Sequence, residues 1–125
     1  MLVDTDVLIW VSRGNKKVIE YLDHIEQIFI SDVTYMELIQ GAKNKHEANS
    51  IDKTLKNMNV RRLPIKQSIS DIAVSLVRIY FHSHSMQLAD ALIAATAMHH
   101  NIELTSGNAK HFKAIEGLVI HKFQI

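Results

Sequence analysis

Short apolar runs alternate along this chain with longer segments whose apolar residues recur at helical spacing, and that alternation limits the fold more than any other feature. Residues 1–5 read as a strand, followed by a short helix over 7–11 that ends near Gly14. Residues 16–25 place Val18, Ile19, Leu22 and Ile25 on one helical face. Residues 27–31 are a second strand, 34–42 and 45–58 two helices, and 60–64 a third strand closed by Pro64. A stripe of Ile69, Ile72, Ala73, Leu76, Ile79 and Tyr80 marks a helix over 67–82, and residues 88–100 form the most apolar helix. Residues 102–105 and 118–123 complete the set as strands. About five short strands separated mostly by helices predict an α/β fold, a three-layer α/β/α arrangement with a parallel sheet. Residues 1–125 are expected to form one domain. Four glycines and one proline disfavour an all-β fold with many tight turns.

Composition narrows the class. Apolar residues make up 47%, which suits a packed core and opposes disorder. A net charge of +1 is no general nucleic-acid footprint, so any polyanion must meet local clusters. The chain has no cysteine, which excludes disulfides and thiolate zinc sites and suits a cytoplasmic location. No basic region precedes the first apolar run, so a signal peptide is not expected. No apolar stretch approaches the roughly 18 residues of a membrane span.

Three acids stand where strands are predicted to end or helices to begin. Asp4, with Asp6 beside it, closes the first apolar run. Its structural alternative is to end the strand or cap the next helix. Glu37 lies in the first predicted turn of the helix after the second strand, where Thr34-Tyr35-Met36-Glu37 also fits a capping box. Asp90 is the one charge between Met86 and Met98. The helix dipole alone would favour it there, yet an acid in so apolar a setting needs a partner. In a parallel sheet those positions share the edge at which such folds bind ligands. Carboxylates gathered there would repel one another, and Mg2+ or Mn2+ would offset that charge through hard oxygen ligands.

With these residues in place the chain resembles the PIN-domain ribonucleases, in particular the VapC-type toxins of toxin–antitoxin pairs. The resemblance rests on Leu2-Val3-Asp4-Thr5-Asp6, on Ile30 to Leu38 with Gly41, on Asp90 to Ala95, and on Leu104 to Phe112. It implies a metal-dependent endoribonuclease that arrests translation, a homodimer, and an antitoxin partner. It implies that Asp4, Glu37 and Asp90 are the catalytic, metal-binding acids. Asp6 falls where the family often has Asn or Asp near the site, and Ser106 where it usually has a hydroxyl. Asn108 departs from the pattern, because many members carry a fourth acid there. A neutral amide oxygen is a weaker ligand for a hard cation, so a second ion would bind loosely.

Other groups carry less information. His82-Ser83-His84 and His99-His100 match no helical ligand pair, so zinc is not expected. Among the basic residues, Arg13, Lys43 and Lys45 are the candidates for RNA phosphates, because they follow the elements bearing Asp4 and Glu37. Their structural alternative is a solvated face. Trp10 and Tyr35 fit a core or an interface as well as a base-stacking platform. Two competing functions remain. One is a non-catalytic module that binds RNA or an antitoxin, with Asn108 as its hint. The other is a haloacid-dehalogenase-type phosphatase, whose first motif Asp4-Thr5-Asp6 satisfies.

Overall fold

The computed structural model describes residues 1–82 and 86–124, and His84 of the His82-Ser83-His84 set lies outside them. Element order is β1 (Leu2–Val3), α1 (Thr5–Ser12), α2 (Lys16–Asp23), β2 (Phe29–Ser31), α3 (Asp32–Gln40), α4 (Lys45–Asn57), β3 (Arg61–Leu63), α5 (Gln67–Tyr80), α6 (Leu88–His100), β4 (Leu104–Ser106) and β5 (Ile120–Lys122). A short 3-10 turn, Ala109–His111, lies between β4 and β5. The strands form one sheet in the order β3-β2-β1-β4-β5, and every pairing is parallel. The parallel α/β expectation holds.

Two apolar clusters cover the two faces. Successive strand residues point to opposite faces, and β1 shows it: Leu2 joins one cluster and Val3 the other. Leu2 packs with α5 and α6, among them Ile69, Leu76, Ile93 and Ala94. Val3 packs with α1 and α2 through Val7, Leu8, Val18 and Leu22. Helix α6 buries Ala91, Ile93, Ala94, Ala95, Thr96 and Ala97, as its nearly all-round apolar sequence requires. Asn101, in the left-handed region at φ 53, ends it.

Two helix starts differ from the sequence reading, and both move site residues. Helix α1 begins at Thr5 rather than Val7, because the Asp4 carboxylate accepts from the Thr5 amide and caps the helix there. Asp6 therefore rides on the first turn of α1. Helix α3 begins at Asp32 rather than Thr34, capped by Ser31, whose hydroxyl accepts from the Val33 amide at 3.0 Å. Thr34 is thus no cap, and Glu37 lies in the second turn rather than the first. Gly41 is the C-cap residue of α3 at φ −80°, a backbone angle that does not itself require glycine.

Candidate active site

The sheet order changes direction at β1. Strands β2 and β3 lie on one side of it, β4 and β5 on the other. In an open parallel sheet the crevice at such a switch point, beyond the carboxyl ends of the strands, is where ligands bind. Register sets what reaches it. Val3 pairs with Thr105, and Ser106 with Lys122, so the next residues of β1 and β4 meet at that edge.

Asp4 sits there, buried. Its Oδ2 accepts from the Ser106 hydroxyl at 2.7 Å, and its Oδ1 from the Thr5 amide at 2.8 Å. Burial pushes its pKa up to about 6, against the lowering effect of the Ser106 bond. The charges of Asp6 and Asp90 push the same way, while the Thr5 amide opposes them. Ser106 in turn accepts from the Asn108 amide at 2.9 Å. Asp6 is also raised by burial, in part offset by the amides of Val7 and Gly107. Among the described residues no donor meets Asp6 Oδ1 in good hydrogen-bond geometry. Asn108 Nδ2 donates to Asp6 Oδ2 at 3.3 Å. A Cβ at Gly107 would stand 2.5 Å from that same oxygen, so any side chain there would push Asp6 aside.

Asp90 is the third residue of α6, and it takes the capping role that its position allows: its Oδ2 accepts from the Gln87 amide at 3.0 Å. The same oxygen lies 3.3 Å from His111 Nδ1. Glu37 is held by a side chain that the sequence reading passed over. The Thr5 hydroxyl donates to Glu37 Oε1 at 2.6 Å, and the hydroxyls of Thr5 and Thr34 lie 3.0 Å apart. Thr5 has one hydroxyl proton, and Glu37 takes it, so Thr34 supplies the proton of the second bond. Thr5 stands between Asp4 and Asp6 in the sequence, which is the signal that could have singled it out.

Each acid thus has its own partners. Among the described residues no three His, Cys, Asp or Glu side chains stand close enough to share one metal ion. The donors still suit a hard cation, because they are all oxygens and the charges of Asp6 and Asp90 repel that of the buried Asp4. Mg2+ typically takes one or two carboxylates and completes its shell with water and substrate phosphate.

Of the basic candidates, Arg13 and Lys43 line a groove of about 650 Å³ between α1, α3 and α4, and Glu37 lines it too. Lys45 is exposed at the start of α4 and is not part of its lining.

The PIN-domain family model matches residues 1–118. The chain belongs to the PIN-domain family. Ribonuclease VapC10 of Mycobacterium tuberculosis is 34% identical over 122 residues, covering 94% of this PIN domain and 90% of that protein. Ribonuclease VapC1 of Rickettsia felis is 25% identical over 130 residues, covering 96% and 93%. Among solved structures, a toxin–antitoxin complex from Klebsiella pneumoniae superposes with a TM-score of 0.81 at 32% identity, covering 98% of both chains. VapBC2 from Rickettsia felis, bound to a promoter DNA fragment, gives 0.82 at 20% identity with the same coverage, a likeness of fold.

Proposed function

We propose that this PIN domain is the ribonuclease toxin of a toxin–antitoxin pair and hydrolyses RNA phosphodiester bonds with Mg2+, for which Mn2+ can substitute. Asp4 carries this reading: a buried carboxylate at the switch point, raised to about 6 by burial and by two neighbouring acids. A structural role explains its capping bond but not why the charges of Asp6 and Asp90 lie near enough to act on it. The similarity to proteins named as ribonucleases supports RNA as substrate, and the similarity to toxin–antitoxin complexes supports an antitoxin as partner. The homodimer belongs to the same proposal.

Asp4, Asp90 and Glu37 are the residues that would hold the cation, one or two directly and the rest through water, since no three such side chains among the described residues reach one ion, with Asp6, Ser106 and Asn108 around them. The bound cation would lower the pKa of a water and offset charge on the scissile phosphate. The chain's own residues supply position. Ser106 and the Thr5 amide fix both oxygens of Asp4. The Gln87 amide orients Asp90, and the Thr5 hydroxyl orients Glu37. Arg13, Lys43 and Lys45 are the proposed phosphate contacts along the rim. The phosphatase alternative loses its footing, because the chain belongs to the PIN family.

The test is cleavage of total cellular RNA by antitoxin-free protein with Mg2+, with Mn2+ and with EDTA, beside Asp4→Asn. Discrete fragments that need metal and fall about 10³-fold in the mutant are expected. Folded wild-type protein that cuts nothing in either metal would leave the non-catalytic binding module as the better reading.

A further inference from the structure

A second concavity, of about 510 Å³ and open to solvent, is lined by Asp6 but not by Glu37. Its size falls within the range of small-ligand sites, about 300–1,000 Å³. Asp6 and Gly107 line it beside Asp4 and Ser106, and Trp10, Asn108, Lys122 and Phe123 contribute to its wall. We infer that this concavity is a nucleotide subsite, in which the Trp10 indole stacks on a base of single-stranded RNA next to the scissile phosphate. The inference rests on the RNA-cleaving reading of the adjoining acids.

Four observations carry it. First, the concavity lies on the β1–β4–β5 side of the switch point, so an RNA strand crossing the crevice meets it next. Second, Trp10 is half-buried on α1, and the Arg13 guanidinium lies 5.3 Å from its ring centroid. That cation, together with the apolar cluster around Val3 and Val7 on which the ring also packs, orients the indole, and the part of it that lines the concavity is what a base would meet. Third, Lys122 is the last residue of β5 and exposed, a cation at the rim where a phosphate of the same nucleotide would lie. Fourth, the wall is held in place: Phe123 donates its amide to the Ser106 carbonyl at 2.9 Å, and its ring packs on Tyr21 with centroids 5.0 Å apart. An indole, a cation and an amide around one opening match a base, a phosphate and a base edge. This arrangement also gives Asn108 a use other than metal binding.

Trp10 is the one tryptophan of the chain, so its fluorescence reports the subsite directly. Full-length wild-type protein in Mg2+ is titrated with a ten-nucleotide oligoadenylate, and the emission is read at once. Quenching that saturates is expected, with Lys122→Ala shifting the midpoint several-fold to higher concentration. Absence of quenching overturns the subsite whether or not the protein cuts RNA, which separates this failure from failure of the ribonuclease reading. In cleavage assays on the fragments wild-type protein produces, Trp10→Leu is expected to raise KM about tenfold with little change in kcat, since a lost base stack is worth that much. Trp10→Phe keeps an aromatic face and is expected to stay near wild type. Equal KM values for both variants, or a fall in kcat alone, would overturn the proposal. Thermal melts check that each variant folds, and the Lys122→Ala titration decides the matter if Trp10→Leu does not.

Discussion

Asp4 and Glu37 are carboxylates on the same edge of the same sheet, yet their surroundings are opposite. Asp4 is buried between the ends of β1 and β4, with both oxygens bonded and its pKa raised to about 6. Glu37 is exposed on α3 at the mouth of a groove, tied back by a single hydroxyl. The difference comes from what carries each residue. A strand end in the middle of a sheet is covered on both faces, whereas the second turn of a helix has already risen clear of the sheet. The buried flank is built to hold charge in place, and the exposed flank to meet what arrives.

The sharpest test of that contrast is stability against pH. The folded chain binds the Asp4 proton more tightly than the unfolded chain between the ordinary aspartate value of 3.8 and about 6. Stability of the metal-free protein therefore falls as pH rises through that window and stays lowered above it. Asp4→Asn removes the penalty, and we expect it to stabilise the metal-free protein at pH 7.5 by up to about 3 kcal/mol. The gain should shrink as pH falls below 6 and vanish below 4, as read by calorimetry. A pH-independent difference would mean that burial does not raise the Asp4 pKa.

On the exposed flank the expected effect is kinetic. Thr5→Val keeps the shape but removes the hydroxyl that orients Glu37, and on the proposed role of Glu37 as a metal ligand should slow cleavage about 10–100-fold. Thr5→Ser should restore most of the rate. If Thr5→Ser were as slow as Thr5→Val, packing rather than the hydroxyl would be the cause.

A smaller effect is expected at the joint between the acids and the second concavity. Gly107→Ala places a Cβ against Asp6 Oδ2, and should cost about 1 kcal/mol in thermal stability as Asp6 shifts to make room. The same variant should disturb the Asn108 bond to Asp6, visible as a change in the Asn108 side-chain amide signals by NMR. Unchanged signals with unchanged stability would show that this side of the site is loose.

Much of this molecule was set by the sequence alone, because hydrophobic periodicity acts over a few residues. Alternating runs specify strands and helices, the all-round apolar pattern of α6 places it in the interior, and the order of elements implies a parallel sheet. The positions of Asp4, Glu37 and Asp90 along those elements bring them to one edge by the same logic. What the chain could not reveal locally was which cap wins. Ser31 and Thr34 are both good cap residues, and Thr34 instead turned inward to Thr5, a partner 29 residues away. Nor could local pattern join Asp4 to Ser106 or Asp6 to Asn108, each pair 102 residues apart. Those bonds exist because β4 crosses back to lie beside β1, and strand order is decided by packing of the whole chain. Local chemistry chose the residues, and tertiary structure chose their partners, since a hydrogen bond across the sheet forms only after distant segments have been brought into register.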